Sequence, residues 1–173
     1  MLIPRYYFSN DYRDFYEYFL TQPHTVKIFR KDEYLWNYGD PITHIYYIIS
    51  GAAMTTLEHE NGSRKISSFH GEGTVFPGFH RSVFKIEQSI ATRAVTDMET
   101  LCFTGAAFLE MLSENSRLML STLDWYASYI NLLLYESAHQ DYNSSFVKLC
   151  NLLYLFTQNS PGGSRYAVRV RCS

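Results

Sequence analysis

Cysteine is scarce in this 173-residue chain, and its three copies, Cys102, Cys150 and Cys172, are scattered. An odd count without a CxxC pair gives neither a disulfide framework nor a thiolate metal cluster, and it suits a reducing compartment. Long hydrophobic runs are missing as well: no segment approaches the roughly 20 apolar residues of a membrane span. The opening "MLIPRYYFSNDYRDFY" brings in charges too early for a secretory signal. These absences predict a soluble, cytoplasmic protein with no membrane partner. Charge of one sign is also lacking, and a formal net charge of −2 argues against a polyanion surface built on bulk charge. No Gly-x-x-x-x-Gly-Lys occurs, and Gly71-x-Gly73 is too short for a nucleotide loop. No Ser-His-Asp or Cys-His set can be argued from spacing.

Aromatic side chains are abundant, with 15 Tyr and 12 Phe. Tyrosine brings a hydroxyl with its ring, so a Tyr-rich interior suits polar ligands as well as plain core packing. From Thr25 to about Thr104 the pattern is one of short strands: "TVKIF", "EYLWN", "HIYYIIS", "AAMTTLE", "RKISSF", "SIATRAV" and "ETLCFT". Gly39-Asp40, Ser50-Gly51, Asn61-Gly62, Gly71-Glu72-Gly73 and Asp97 separate them. Asn-Gly within "HENGSR" predicts a hairpin with a type I′ turn. Short strands at this spacing predict a barrel or jelly roll rather than a parallel sheet.

Helical patterns flank that region. "DYRDFYEYFL", residues 11–20, reads as a short helix capped by Asn10 or Asp11. Thr104 is placed to cap "GAAFLEMLS". The segment "ENSRLMLSTLDWYASYINLLLYESAH" then runs on without Gly or Pro. Its apolar positions Met119, Leu123, Tyr126, Ile130 and Leu133 repeat like a heptad seam, which predicts self-association. A second stripe, Leu120, Ala127 and Leu134, predicts two buried faces, one against the roll and one against something else. Asn143 or Ser144 is placed to cap a further helix, "FVKLCNLLYLFTQN", which Pro161-Gly162-Gly163 ends. "SRYAVRVRCS" then alternates like the first strand of something new.

The runs "GDPITHIYYIISG", "LEHENGSRKISSF", "HGEG" and "SIATRAVTDMETLCFTGAAFLEML", in that order before a long helix, carry a likeness. They resemble the sensor half of bacterial transcription regulators of the catabolite-activator/FNR (Crp/Fnr) family, over about residues 25–158. The resemblance implies an α+β protein: an antiparallel β jelly roll of the cyclic-nucleotide-binding-domain type (a double-stranded β-helix) followed by a long dimerisation helix. The implied divisions are 1–24, an N-terminal helical segment; 25–113, the effector-binding roll; and 114–140, the dimerisation helix. Residues 141–173 would be a helix and the start of a truncated or missing DNA-binding domain. Gly39 and Gly51 would shape the corners of the roll. A homodimer would form through Met119, Leu123, Tyr126, Ile130 and Leu133. The role implied is regulatory, with no enzyme activity, catalytic residue, metal or cofactor.

Nucleotide-binding members of that family carry a glutamate after a cassette glycine, for the ribose hydroxyl, and an Arg-Ser or Arg-Thr pair for the cyclic phosphate. Aligned backward from "ATRAVT", the pair falls on Gln88-Ser89 and the glutamate position falls near Phe76 to Gly78. Ser89 is kept, while the arginine and the glutamate are gone. A buried phosphate needs a cation, because an uncompensated buried charge is costly, and Gln88 offers only neutral N–H donors. The expected effector is therefore a small molecule other than cyclic AMP, held by Phe76, Gly78, Phe79, Gln88, Ser89, Tyr126 and Tyr129. His80, Arg81, Lys85 and Arg93 read either as solvated charges or as cations of which one folds in on a carboxylate.

Iron–sulfur sensing is ruled out, since no cysteine precedes Cys102. Haem would need only one of the six His, but a lone His is more often a surface or capping residue. A cupin-like metalloenzyme shares the roll, yet His44 and His80 make only part of its metal set. A stand-alone small-molecule binding module without DNA function is the nearer alternative. Family members continue into a winged helix-turn-helix. Here the expectation is either a shortened chain or a sensor acting through a partner, with DNA bound only if a helix-turn-helix exists beyond Ser173. Arg165, Arg169 and Arg171 are too few to hold DNA tightly.

Overall fold

The computed structural model describes residues 4–80 and 84–158. Arg81 and the alternating tail from Ser164 onward lie outside the described residues. Strands form where aromatic and β-branched residues run between turn-formers. The two richest runs give β4 (His44–Ser50) and β5 (Ala52–Glu58), joined at Gly51. Gly51 has φ 86°, and a Cβ there would sit 2.2 Å from the Asp97 carbonyl oxygen, so the corner admits glycine alone.

The other strands are β1 (Tyr7–Phe8), β2 (Thr25–Phe29), β3 (Tyr34–Trp36), β6 (Arg64–Gly71), β7 (Val75–Phe76), β8 (Ile90–Ala94) and β9 (Met98–Thr104). They pair into two facing sheets, one ordered β1-β6-β5-β8-β3 and the other β2-β9-β4-β7. Pairing is antiparallel except that β1 lies parallel to β6, with Tyr7 opposite Phe69. This is the jelly roll that the turn spacing predicts. On β4, His44, Tyr46 and Ile48 share one face while Ile45 and Tyr47 take the other. Tyr46 packs inward on Trp36 and Phe29, and Tyr47 packs outward on Phe19.

Three local expectations are corrected. The N-terminal helix is a 3-10 turn, Arg13–Phe15, that runs into α1, Tyr16–Leu20. Neither Asn10 nor Asp11 caps it; Asn10 takes a positive φ of 62° and its N–H donates to the Glu72 carbonyl at 2.9 Å. The β5–β6 hairpin is not type I′. Only Gly62 has a positive φ, and its N–H donates to the His59 carbonyl at 2.8 Å, which is a type I turn followed by a glycine bulge.

Thr104 caps α2 (Gly105–Glu114) as the sequence predicts, its hydroxyl accepting the Ala107 N–H at 3.2 Å. Asn115 caps α3 (Ser116–Tyr142) through the Leu118 N–H at 3.1 Å. Ser144, one of the two expected caps, accepts the Val147 N–H at the start of α4 (Ser145–Gln158). The third correction concerns α3. The side that packs on the roll carries Leu118, Thr122 and Trp125, all buried, whereas Leu120, Ala127 and Leu134 are exposed. Thr122 tolerates burial because its hydroxyl donates to the Leu118 carbonyl at 2.8 Å and also meets the buried Tyr12 hydroxyl.

The described chain divides into two compact units. One, Tyr6–Tyr126, holds the roll, the N-terminal segment, α2 and the first part of α3. In the other, which includes the rest of α3 and α4, the His139 ring meets the carboxamides of Asn143 and Asn151 at 3.0 and 3.4 Å.

Candidate effector site

Alternation on the first sheet decides what lines the roll. Ser68 on β6 stands opposite Thr55 on β5, Thr55 opposite Thr92 on β8, and Thr92 opposite Trp36 on β3. All four are buried, so a row of three hydroxyls and one indole crosses the inner wall. Thr55 and Thr92 share a hydrogen bond of 2.9 Å between their hydroxyls. In the next row His70 stands opposite Ala53, and Ala53 opposite Ala94, whose small side chains leave space above them.

Ile48 and Met98 pack against these two alanines, with Phe29 and Leu35 beside them. Phe8, His70, Phe76, Trp36 and Tyr46 form a column of near-parallel neighbours, with centroid spacings of 5.7, 3.6, 5.3 and 6.5 Å. Trp125 of α3 closes one side, 5.6 Å from Phe8 and 6.4 Å from His70. His70 is wholly buried, and its Nε2 meets the Ser68 hydroxyl at 2.9 Å. Its Nδ1 and the Trp36 Nε1 are buried without a hydrogen-bond partner. Each such atom costs about 1–3 kcal/mol, so two beside one ring call for an explanation.

Burial pushes the His70 pKa from 6.5 down to about 3. The folded state therefore keeps His70 neutral at acidities where the unfolded chain protonates it. Stability is lost as pH falls from 6.5 toward 3, by up to about 1.4 kcal/mol per pH unit from this group. Urea melts at pH 7 and pH 5 are expected to show that loss in the native chain and a smaller one in His70→Gln. Equal losses would refute it.

Of the residues expected to hold an effector, the structure brings four together. Phe76 sits in the column, Gly78 and Phe79 follow it in the chain, and the Tyr126 hydroxyl donates to the Phe79 carbonyl. Burial raises the Tyr126 pKa to about 12, so it stays a donor. A Cβ on Gly78 would lie 2.5 Å from the Tyr126 ring, which makes this contact dependent on glycine. Gly78 and Phe79 also line a cavity of about 80 Å³ with His44, Ile45, His80 and Gly105. Gln88 and Ser89 lie apart on a 3-10 turn, Lys85–Ser89. The Gln88 side chain is exposed, and its carbonyl accepts the Gly39 N–H at 3.0 Å. Tyr129 is half-buried further along α3.

The cations near the cassette are accounted for among the described residues. Arg93 pairs with Asp32 at 2.9 Å, His80 meets Glu87 at 2.7 Å, and Lys85 is exposed. Lys27, on the exposed edge strand β2, lies 5.8 Å from the Tyr46 ring, at the far end of the column from His70. A cleft of about 300 Å³ outside the roll is lined by Asp14, Glu17 and Glu72 against one Arg13, the wrong sign for a phosphate. The described residues do not fit a cyclic phosphate. Among the described residues no group of three or more His, Cys, Asp or Glu is arranged to hold a metal ion. No described helix is long and apolar enough to cross a membrane.

Sequence reasoning missed His70, Ser68, Thr55, Thr92 and Trp36. The available signal was "RKISSFHG", where alternation puts Ser68 and His70 on one face of a strand whose neighbours are small or apolar.

The family model for the cyclic nucleotide-binding domain matches residues 26–115, and the chain belongs to that family. Solved structures share its fold. Oxidized CprK in complex with o-chlorophenolacetic acid aligns with TM-score 0.64 and 15% identity, over 91% of this chain and 62% of that one. The c-di-GMP-responsive global regulator CLP of Xanthomonas campestris gives 0.70 and 15%, over 84% and 72%. FixK2 from Bradyrhizobium japonicum gives 0.64 and 17%, over 79% and 67%. The chain spans less than two thirds of the CprK chain. No curated protein matches the sequence.

Proposed function

We propose that the chain is the effector-sensing and dimerising part of a Crp/Fnr-type transcription regulator, acting in the cytoplasm. The observation that carries this reading is the direct bond between the cassette and α3, from the Tyr126 hydroxyl to the Phe79 carbonyl. A ligand that moves Phe76 also moves Gly78 and Phe79, and the bond passes that movement to the helix. Met119, Leu123, Ile130 and Leu133 of that helix are exposed large apolar residues, which supports a second copy of the chain as their partner. CprK and CLP, named above with a small organic acid and with c-di-GMP, support small-molecule sensing in this fold. DNA binding is assigned only to a helix-turn-helix beyond Ser173, and no catalytic role is assigned.

The effector is not cyclic AMP, because the described residues of the cassette offer no cation for its phosphate. Calorimetry is expected to show no cyclic AMP binding at micromolar concentrations; micromolar affinity would overturn this assignment. Coupling is tested with Tyr126→Phe, which keeps the ring and deletes the bond. Amide exchange at Gly78 and Phe79 is expected to speed up several-fold while the centre of β4 stays unchanged. Unchanged exchange at both residues would remove the proposed link.

A further inference from the structure

The inward side of β2 carries a cation. Phe29 packs edge-on against Tyr46 inside the roll, with centroids 5.8 Å apart. Lys27, two residues earlier, shares that side of the strand, while Val26 and Ile28 take the other and are exposed. The Lys27 ammonium lies 5.8 Å from the centre of the Tyr46 ring. A cavity of about 290 Å³ opens there, at the small end of the range for ligand sites. Lys27, Trp36 and Tyr46 line it from the strands, and Asp40 and Thr43 line it from the connection into β4, with His44 beside them. None of residues 76–80 takes part. The Asp40 carboxylate is held in place, because its Oδ2 accepts the Asn37 N–H at 2.9 Å and its own N–H donates to the Asn37 carbonyl at 3.1 Å. Lys27 and Asp40 thus line one cavity from two elements, yet neither forms an ion pair with the other or with any described residue.

We infer that this cavity is a second small-molecule site, apart from the cassette, and that it takes a zwitterion of the α-amino-acid type, with its carboxylate on Lys27 and its ammonium on Asp40. Opposite charges that line one cavity without meeting are matched by a ligand that carries both. A bare anion gains from Lys27 and is repelled by Asp40, and a bare cation meets the reverse. Leu35, Pro41 and Ile42 give the amino acid's side chain an apolar wall. Both charged residues are exposed, so each contact is screened and the affinity is low, on the order of millimolar. Thr43 and His44 also line the smaller cavity with Gly78 and Phe79, so an occupant here touches residues that border the cassette. The assignment does not depend on what the cassette itself binds.

The test titrates the full chain with L-valine, isovalerate and isobutylamine. These share one branched skeleton and carry both charges, the carboxylate alone and the ammonium alone. The amide resonances of Thr43 and His44 report occupancy. At low salt valine is expected to shift them and to bind ~5-fold more tightly than either analogue, an exposed ion pair being worth up to that factor. In Lys27→Gln, valine and isobutylamine are expected to bind alike; in Asp40→Asn, valine and isovalerate are. Both side chains are exposed, and asparagine keeps an acceptor for the Asn37 N–H, so both variants are expected to fold. Isovalerate binding the native chain as tightly as valine would overturn the zwitterion in favour of an anion, and isobutylamine doing so would overturn it in favour of a cation. Valine binding left unchanged by both substitutions, or no shift at Thr43 and His44 at tens of millimolar valine, would overturn the site.

Discussion

An Ile130→Asp chain is expected to sediment as a monomer at concentrations where the native chain sediments as a dimer. Ile130 is 54% exposed, in line with Met119, Leu123 and Leu133 at 42%, 57% and 45%, so its side chain has little to do within its own copy. In a two-fold pair the same seam meets itself, and one substitution places a carboxylate on each side of it. Burying a carboxylate in an apolar seam costs several kcal/mol, and each 1.4 kcal/mol is a factor of ten in affinity. Dissociation should therefore rise by at least ~100-fold. Ile130→Val, which trims one methylene, should remain a dimer. Because the residue lies outside the roll, near-UV circular dichroism should be unchanged in both. Identical sedimentation of the native and Asp forms would end the dimer assignment.

Gly51→Ala is expected to unfold the roll or to lower its stability by at least about 3 kcal/mol. Two penalties combine at this position. A non-glycine residue at φ 86° carries about 1–2 kcal/mol of strain, and the added methyl would meet the Asp97 carbonyl oxygen at 2.2 Å and Met98 Cγ at 2.9 Å. The carbonyl belongs to the turn into β9 and cannot rotate aside as a side chain end would. Gly39→Ala is the control, since φ there is 81° but nothing lies within 4 Å of the new methyl. It should cost only about 1 kcal/mol. Urea denaturation of the two variants separates conformational strain from collision. Equal losses would mean that the Gly51 corner relaxes freely.

The roll was legible because its strands are short and punctuated. "HIYYIIS" and "AAMTTLE" coincide with β4 and β5 to the residue, since Gly51 and the flanking turn residues leave no latitude. β1 was not legible. Two residues have no period, and their partner in β6 is far along the chain. The orientation of α3 was misread because the helix is apolar on most sides: Leu120 and Leu134 make as good a stripe as Leu118 and Leu132. The deciding residue, Thr122, looks like a surface residue until its hydroxyl is seen to be satisfied internally. Phe76, Gly78, Phe79 and Tyr126 were found from a family likeness and do converge, whereas Gln88 faces solvent. The inner wall stayed hidden because Ser, Thr and His on a strand ordinarily signal its wet face.

The parallel pairing of β1 has a consequence for biogenesis. Tyr7 and Phe8 are synthesised before β6, yet their seat beside Phe69 and His70 does not exist until β6 has been synthesised and paired with β5. During that interval the flank of β6 is an open strand edge and the imidazole lacks its Phe8 cover. The nascent roll thus passes through a stage in which a small solute can reach its interior from the side, before Tyr7 and Phe8 fold back onto β6 to shut it.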